Sequence, residues 1–309
     1  MMKKKIVVLG SLNTDFVADV SRLPVEGESM LANGFGIVPG GKGANQACTL
    51  SKLGADVTML GAIGKDGNGQ MMKDNLEKSG VDCSHLLESD VPTGIAMITV
   101  FPNGNNSIVV AQGANMEVDC AYIDKNLKLL ADCDALVLQL EIPLETVAYA
   151  AKKAKELGKL VILDPAPAPA PETLPKGLFE TVDLVKPNET ELAILTGMPG
   201  AAKDPAPAAA RLKEMGAKEV LVTLGGEGSY LSLADGTEYR VAPKQVPVVD
   251  TTAAGDAFTA SVAIQLAEGK PLTEAAEFAN KVSSIVVTRK GAQSSIPTME
   301  EVLSCHFDD

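Results

Sequence analysis

Residues 5–80 decide the fold: KIVVLG (5–10), GANQACTLSKLG (43–54), DVTMLG (56–61) and QMMKDNLEKSG (70–80) set short β-branched runs against Ala- and Lys-rich stretches. That alternation is the signature of β-α-β units wound around a parallel sheet. It resumes downstream with ALVLQL (135–140), a helix reaching about Leu157, KLVILD (159–164), DLVKP (183–187), a helix from Asn188, and EVLVTLGG (219–226). The expectation is one α/β domain over residues 1–309, with a central, mostly parallel sheet flanked by helices.

Two segments break the rhythm. DFVADV (15–20) with FGIVP (35–39), and GIAMITVFPNGNNSIVVA (94–111), read as strands and a hairpin without intervening helices. Asn103-Gly104 supplies a hairpin turn in this reading. The pieces are expected to form a small β-sheet lid inserted at about 14–39 and 93–112. Its edge strands need covering, which favours a homodimer through the lid. DPAPAPAPETLP (164–175) reads as an extended surface connection.

Composition excludes several classes. Lys and Arg number 27 against 40 Asp and Glu, a net charge of -13, which repels a phosphate backbone and leaves no case for nucleic acid. The basic start MMKKKIVVLG resembles a signal peptide only until Asn13 and Asp15 interrupt the apolar run. No stretch reaches the length of a membrane span, so a cytoplasmic protein without a membrane partner is expected. Five scattered cysteines suit neither a disulfide framework nor a zinc site, and are expected to be reduced and buried. With only His85 and His306 available, the chemistry falls to carboxylates, amides and glycines.

Four segments carry candidate chemistry. GGKGANQA (40–47) approaches a P-loop, but Gly43 stands where Ser or Thr would hold magnesium, and the Rossmann glycine spacing is missing. A glycine turn opening a helix accounts for it equally; so does a polyol site, with Lys42 and Asn45 as donors and Asn13 and Asp15 after the preceding strand. DTTAAGDAF (250–258) places Ala253, Ala254 and Gly255 before a helix through about Leu266, with Asp256 in its first turn. Small residues at a helix start let backbone amides close on an anion, and a carboxylate beside them can take a proton from an attacking hydroxyl. An acid at a helix N-terminus needs no such role. KPNETE (186–191) puts Asn188 and Glu191 on one helix face, suited to organising water around magnesium or simply to capping. VTLGGEGSY (222–230) is a strand entering a glycine turn, either a hairpin or a floor for a nucleotide.

Together with GSLNTD (10–15), LQLEIP (138–143) and TRKGAQSSIP (288–297), these segments resemble, in order and spacing, the ribokinase family of carbohydrate kinases along essentially the whole chain. The resemblance implies the family's α/β sandwich with a β-sheet lid shared between two subunits. It also implies ATP-dependent phosphorylation of a sugar, with D-ribose and its 5-hydroxyl favoured by the Gly-Lys-Gly form and the RKGAQ run. 2-Deoxyribose or another pentose is the near alternative, and a non-catalytic sugar-binding regulator the remote one. Carried over, Asn13, Asp15, Gly41, Lys42, Gly43, Asn45 and Glu141 hold the sugar, and Asp256 is the base beside an anion hole at residues 253–256. Asn188, Thr223, Leu224, Gly225, Gly226, Glu227, Gly228, Gly255 and Asn280 contact ATP. Asn188 and Glu191 serve magnesium through water. Asp250, Thr252, Val286, Arg289, Gly291 and Ser295 surround an activating potassium ion. The family often reads Thr-Phe-Asn-Gly after the catalytic Asp, whereas Ala257, Phe258, Thr259 and Ala260 stand here. Altered packing behind the anion hole is the expected consequence.

Overall fold

The computed structural model describes residues 3–102 and 106–307; the Asn103-Gly104 turn lies outside them. The chain opens with β1 (Lys5–Leu9), β2 (Asn13–Asp19), β3 (Gly34–Gly40), α1 (Lys42–Lys52), β4 (Asp56–Leu60), β5 (Ala62–Gly64) and α2 (Gly67–Lys78). There follow β6 (Leu87–Ser89), β7 (Gly94–Val100), β8 (Asn106–Ala111), α3 (Cys120–Lys125), α4 (Leu127–Asp132), β9 (Ala135–Leu138) and α5 (Leu144–Glu156). The second half holds β10 (Leu160–Leu163), β11 (Leu184–Val185), α6 (Glu189–Thr196), α7 (Ala206–Glu214), β12 (Glu219–Thr223), β13 (Ser229–Ser232) and β14 (Glu238–Val241). Three helices close it: α8 (Ala254–Ala267), α9 (Leu272–Val287) and α10 (Met299–Ser304).

The large sheet has eight strands in the order β14-β13-β12-β11-β10-β9-β1-β4. From β12 to β4 every pairing is parallel, and β13 and β14 add antiparallel strands at one edge. Strands of such a sheet are covered on both faces, which is why they read as unbroken apolar runs rather than alternations. In β1, Ile6 and Val8 join one buried cluster with α1, α8 and α9, while Val7 and Leu9 join the other with α5 and α7.

β2, β3, β7 and β8 form a separate four-stranded sheet in the order β3-β2-β7-β8. β2 starts at Asn13, two residues before the run noticed in the sequence, and pairs with β7 in parallel. The register lines up Ile37, Phe16, Met97 and Val109 across all four strands. This row is a stripe of apolar side chains, with Ile37, Met97 and Val109 about half exposed. A small parallel pair, β5 with β6, was not anticipated.

Two expectations need correction. The proline run is not wholly a surface loop, because Asp164, Pro165 and Ala166 are buried. The cysteines are free thiols, yet only Cys48, Cys83 and Cys133 are buried.

Candidate active site

The carboxyl ends of the parallel strands converge on one region, the usual place for a ligand in an open α/β sheet. Residues 10–15 follow β1, Gln139 and Glu141 follow β9, Asp164 follows β10, Lys186 to Asn188 follow β11, and Thr223 ends β12. Helices α1 and α8 point their N-termini at the same place.

The glycine turn before α1 is shaped by contact. Gly41 has φ 87°, and a Cβ there would stand 2.6 Å from the backbone nitrogen of Asn13. Only glycine adopts that conformation at so little cost, so the turn rests directly on the strand that carries Asn13 and Asp15. Asn13 Oδ1 accepts from the buried Asn115 Nδ2 at 2.8 Å. Glu141 accepts from the Ser11 hydroxyl and, at 3.3 Å, from the Lys42 amide; Gly43 donates to Ser11 Oγ at 3.4 Å. Asp15, Lys42 and Glu141 thus form one charged cluster with Asp256, to which Asn45 is bonded. Burial pushes the Asp15 carboxyl up to about 7, and the charges of Glu141 and Asp256 add to it. For Lys42, burial alone would lower the ammonium, but Asp256, Asp164, Glu141 and Glu191 outweigh it and hold it charged.

Ala253 has φ 60°, the one non-glycine residue with positive φ among the described residues. That left-handed step launches α8 abruptly and costs energy in an Ala, a pattern found where backbone must present itself to a ligand. The first-turn amides at Gly255 and Asp256 have no intrahelical carbonyl to bond, so they are available to an anion. Asp256 is 7% exposed. Its Oδ2 accepts from Asn45 Nδ2 at 2.9 Å and its Oδ1 from Gln46 Nε2 at 3.2 Å. Gln46 is oriented in turn by Gln139, whose Nε2 donates to it at 2.6 Å. Burial raises the Asp256 pKa; Lys42 opposes it, Asp164 adds to it, and the two amide bonds again oppose it.

Behind Asp256 lies a group that reading the sequence missed. Asp164 Oδ2 accepts from Gln46 Nε2 at 3.0 Å, Lys186 Nζ at 3.2 Å and Thr259 Oγ1 at 2.8 Å. Lys186 also reaches the Gly255 carbonyl at 3.4 Å. The departure at Thr259 therefore has a polar consequence, since its hydroxyl ties α8 to the end of β10. A signal did exist: Gln139, Asp164 and Lys186 are the first polar residues after buried parallel strands.

A cleft of about 450 Å³ adjoins the start of α8. Asn188, Thr223, Gly225, Gly226, Gly228, Gly255, Phe258 and Asn280 line it, as do Val246 and Val248, which the sequence did not single out. Leu224 and Glu227 are not in its lining; Leu224 is buried and Glu227 exposed. Asn188 and Glu191 form a capping box, Asn188 Oδ1 accepting from the Glu191 amide and Glu191 Oε2 from the Asn188 amide, both at 2.8 Å. Burial, with Asp164 adding, raises the Glu191 pKa against Lys186, the Asn188 amide and Lys42. One carboxylate oxygen is thus spent on the cap. Among the described residues no group of three or more His, Cys, Asp or Glu could hold a metal ion.

Asp250 ties two segments together. Its Oδ1 accepts from the Thr252 amide and hydroxyl, and its Oδ2 from the Gly291 amide at 2.9 Å. Arg289 and Val286 are linked through the backbone at the end of α9, and Ser295 bonds Ala292 within the same loop. The groups here are oxygens, one carboxylate and backbone carbonyls, the ligand type that hard cations take.

A family model described as pfkB family carbohydrate kinase matches residues 3–299. A ribokinase of Haemophilus influenzae is 40% identical over 304 residues, covering 98% of either chain. A deoxyribokinase of Salmonella typhimurium is 38% identical over 300 residues, covering 96% of each. Among solved structures, Arabidopsis thaliana ribokinase complexed with ribose and ATP superposes with a TM-score of 0.90 at 36% identity, over 98% of both chains.

Proposed function

The chain belongs to the pfkB family of carbohydrate kinases, and from that premise we propose that it transfers the γ-phosphoryl group of ATP to the 5-hydroxyl of D-ribose, giving ribose 5-phosphate. One observation carries the reading. Asp256 stands in the first turn of α8, bonded to Asn45 of the polyol pocket on one side, while Gly255 lines the nucleotide cleft on the other.

Asp256 takes the proton of the 5-hydroxyl as its oxygen bonds to the γ-phosphorus and the bond to the leaving ADP oxygen breaks. Amides at the start of α8 steady the charge on the transferring group, and the partial positive charge of the helix N-terminus adds to them. Asp15 and Glu141 accept from sugar hydroxyls, while Lys42 and Asn45 donate to them. Asn188, Thr223, the glycine turn at 225–228 and Asn280 hold the nucleotide.

Asn188 and Glu191 are suited to hold a hydrated magnesium ion through water. With so few carboxylates present, the remaining ligands would come from water and phosphate oxygens, and the ion would neutralise phosphate charge. Asp250, with carbonyls around Thr252, Val286, Arg289, Gly291 and Ser295, would hold potassium, which would fix the loop beside the anion hole. The four-stranded sheet acts as a lid, and the apolar row Ile37, Phe16, Met97 and Val109 supports a homodimer in which the sheet of a second copy covers it. Dependence on ATP fits a cytoplasmic location, and among the described residues no helix is long and apolar enough to cross a membrane.

A pentose panel with coupled detection of ADP, with and without potassium, tests substrate and cation together. Near-normal turnover by a folded Asp256→Asn variant would remove the base assignment. The match to a deoxyribokinase makes 2-deoxyribose the second reading. A site that bonds the 2-hydroxyl leaves polar groups unmet when it is absent, so kcat/KM on the two sugars separates the readings.

A further inference from the structure

One oxygen of Asp256 stands at the end of a chain of amides that begins well away from it. Asn45 Nδ2 donates to Asp256 Oδ2 at 2.9 Å, Gln293 Nε2 donates to Asn45 Oδ1 at 3.1 Å, and Asn75 Nδ2 donates to Gln293 Oε1 at 2.5 Å. The three amides come from α1, the loop after α9, and α2. Gln293 is only 6% exposed, and Lys52 Nζ pins its backbone carbonyl at 2.8 Å and that of Ile296 at 3.0 Å.

The chain has a direction, and the carboxylate sets it. An ionised Asp only accepts, so Asn45 must turn its NH₂ group toward Asp256. The carbonyl of Asn45 then faces Gln293, which must donate. The carbonyl of Gln293 then faces Asn75, which must donate in turn. All three dipoles point their positive ends at Asp256, and bonds in such a series polarise one another.

We propose that Gln293 is a positioning residue for Asp256. Acting through Asn45, it fixes the orientation of the amide that holds the carboxylate and favours the ionised form, and the polarity of the chain rather than its packing is what matters. The proposal rests on Asp256 being the base and adds to that reading a residue from a separate loop.

The test is the pH profile of kcat at saturating ribose and ATP, whose acid limb reports the base in the bound complex. Gln293→Met keeps the length and removes the donor; turnover is expected to fall roughly tenfold, with the acid limb moved up by about half a unit or more. Loss of packing alone could lower turnover, so Asn75 supplies the second variant. Asn75→Asp is nearly isosteric but puts an acceptor where the chain needs a donor, and it is expected to move the limb upward as Gln293→Met does. Asn75→Leu removes the donor without opposing the direction and is expected to leave the limb near wild type. If the limb stays put in Gln293→Met while Asp256→Asn is inactive, Gln293 has no such role, whatever Asn75→Asp does, since its new charge alone can raise the limb. If Asp256→Asn itself turns over normally, the base assignment fails first, and the two failures are told apart.

Discussion

Asn45 and Asp256 are 211 residues apart in sequence and share a 2.9 Å hydrogen bond that joins α1, the helix behind the glycine turn, to the first turn of α8. It ties the proposed sugar site to the group proposed as base, so neither half of the site is set alone. Replacing Asn45 with Leu removes a bond to a charged acceptor, and kcat/KM for ribose is expected to fall by roughly 10- to 150-fold. Steady-state kinetics on a variant with normal circular dichroism measures it, and an unchanged ratio would contradict the pocket as drawn.

The Lys186–Asp164 pair is almost completely enclosed, with side-chain exposures of 4% and 3%. Lys186→Met leaves a buried carboxylate without its cation, which is expected to cost about 3–5 kcal/mol of stability. Asp164→Asn added to Lys186→Met removes the stranded charge and should recover most of that loss. Denaturant unfolding of the single and double variants decides it; equal losses would mean that the pair is not coupled.

Asp15 titrates at about 7 in the fold, against 3.8 for an ordinary Asp carboxyl. Between those values the folded chain binds more protons than the unfolded one, so stability of the ligand-free protein is expected to fall as pH rises from about 4 to about 7. Thermal unfolding across that range checks the slope, which Asp15→Asn should flatten. Ribose is expected to act in the opposite sense, because in the proposed site its hydroxyls donate to the ionised carboxylate. Binding below pH 7 should therefore release protons, readable by calorimetry in buffers of contrasting ionisation enthalpy.

Met97 and Val109 face each other across the β7–β8 pairing on the apolar row of the small sheet. Met97→Glu with Val109→Glu is expected to turn a dimer into a monomer at micromolar concentration, since charges on a buried interface are costly to desolvate. Analytical ultracentrifugation of wild type and variant settles the matter; a wild-type monomer would remove the proposed interface.

Gly41 carries both a positive φ and a close approach to Asn13. Gly41→Ala should raise the KM for ribose more than it lowers kcat, because the turn is displaced from the sugar side while α8 is untouched. A loss confined to kcat would count against a sugar-side role for the turn.

Much of the architecture was readable because its causes are local. Apolar runs such as KIVVL and LVIL report burial on both faces of a parallel strand, and the small residues 253–255 before Asp256 mark a helix start open to an anion. The family resemblance then gave those local features an order. Beyond its reach lay residues whose meaning depends on distant partners. Gln46 looks like any polar residue in a helix until Gln139, Asp164 and Asp256 close around it. Asp164 reads as the edge of a proline loop until Lys186 and Thr259 bury it.

By itself the sequence determined the alternation of strand and helix, the acidic and histidine-poor composition, and the small-residue helix start that carries Asp256, since each is expressed in composition or within one turn of chain; the role proposed for Asp256 came from the family resemblance. Tertiary structure alone decided which amides face that carboxylate, that Asp164 is buried with a cation, and that four strands align one apolar row. A hydrogen bond across 211 or 248 residues leaves no periodicity in the chain. It exists only once the sheet has brought the ends of its strands to one edge.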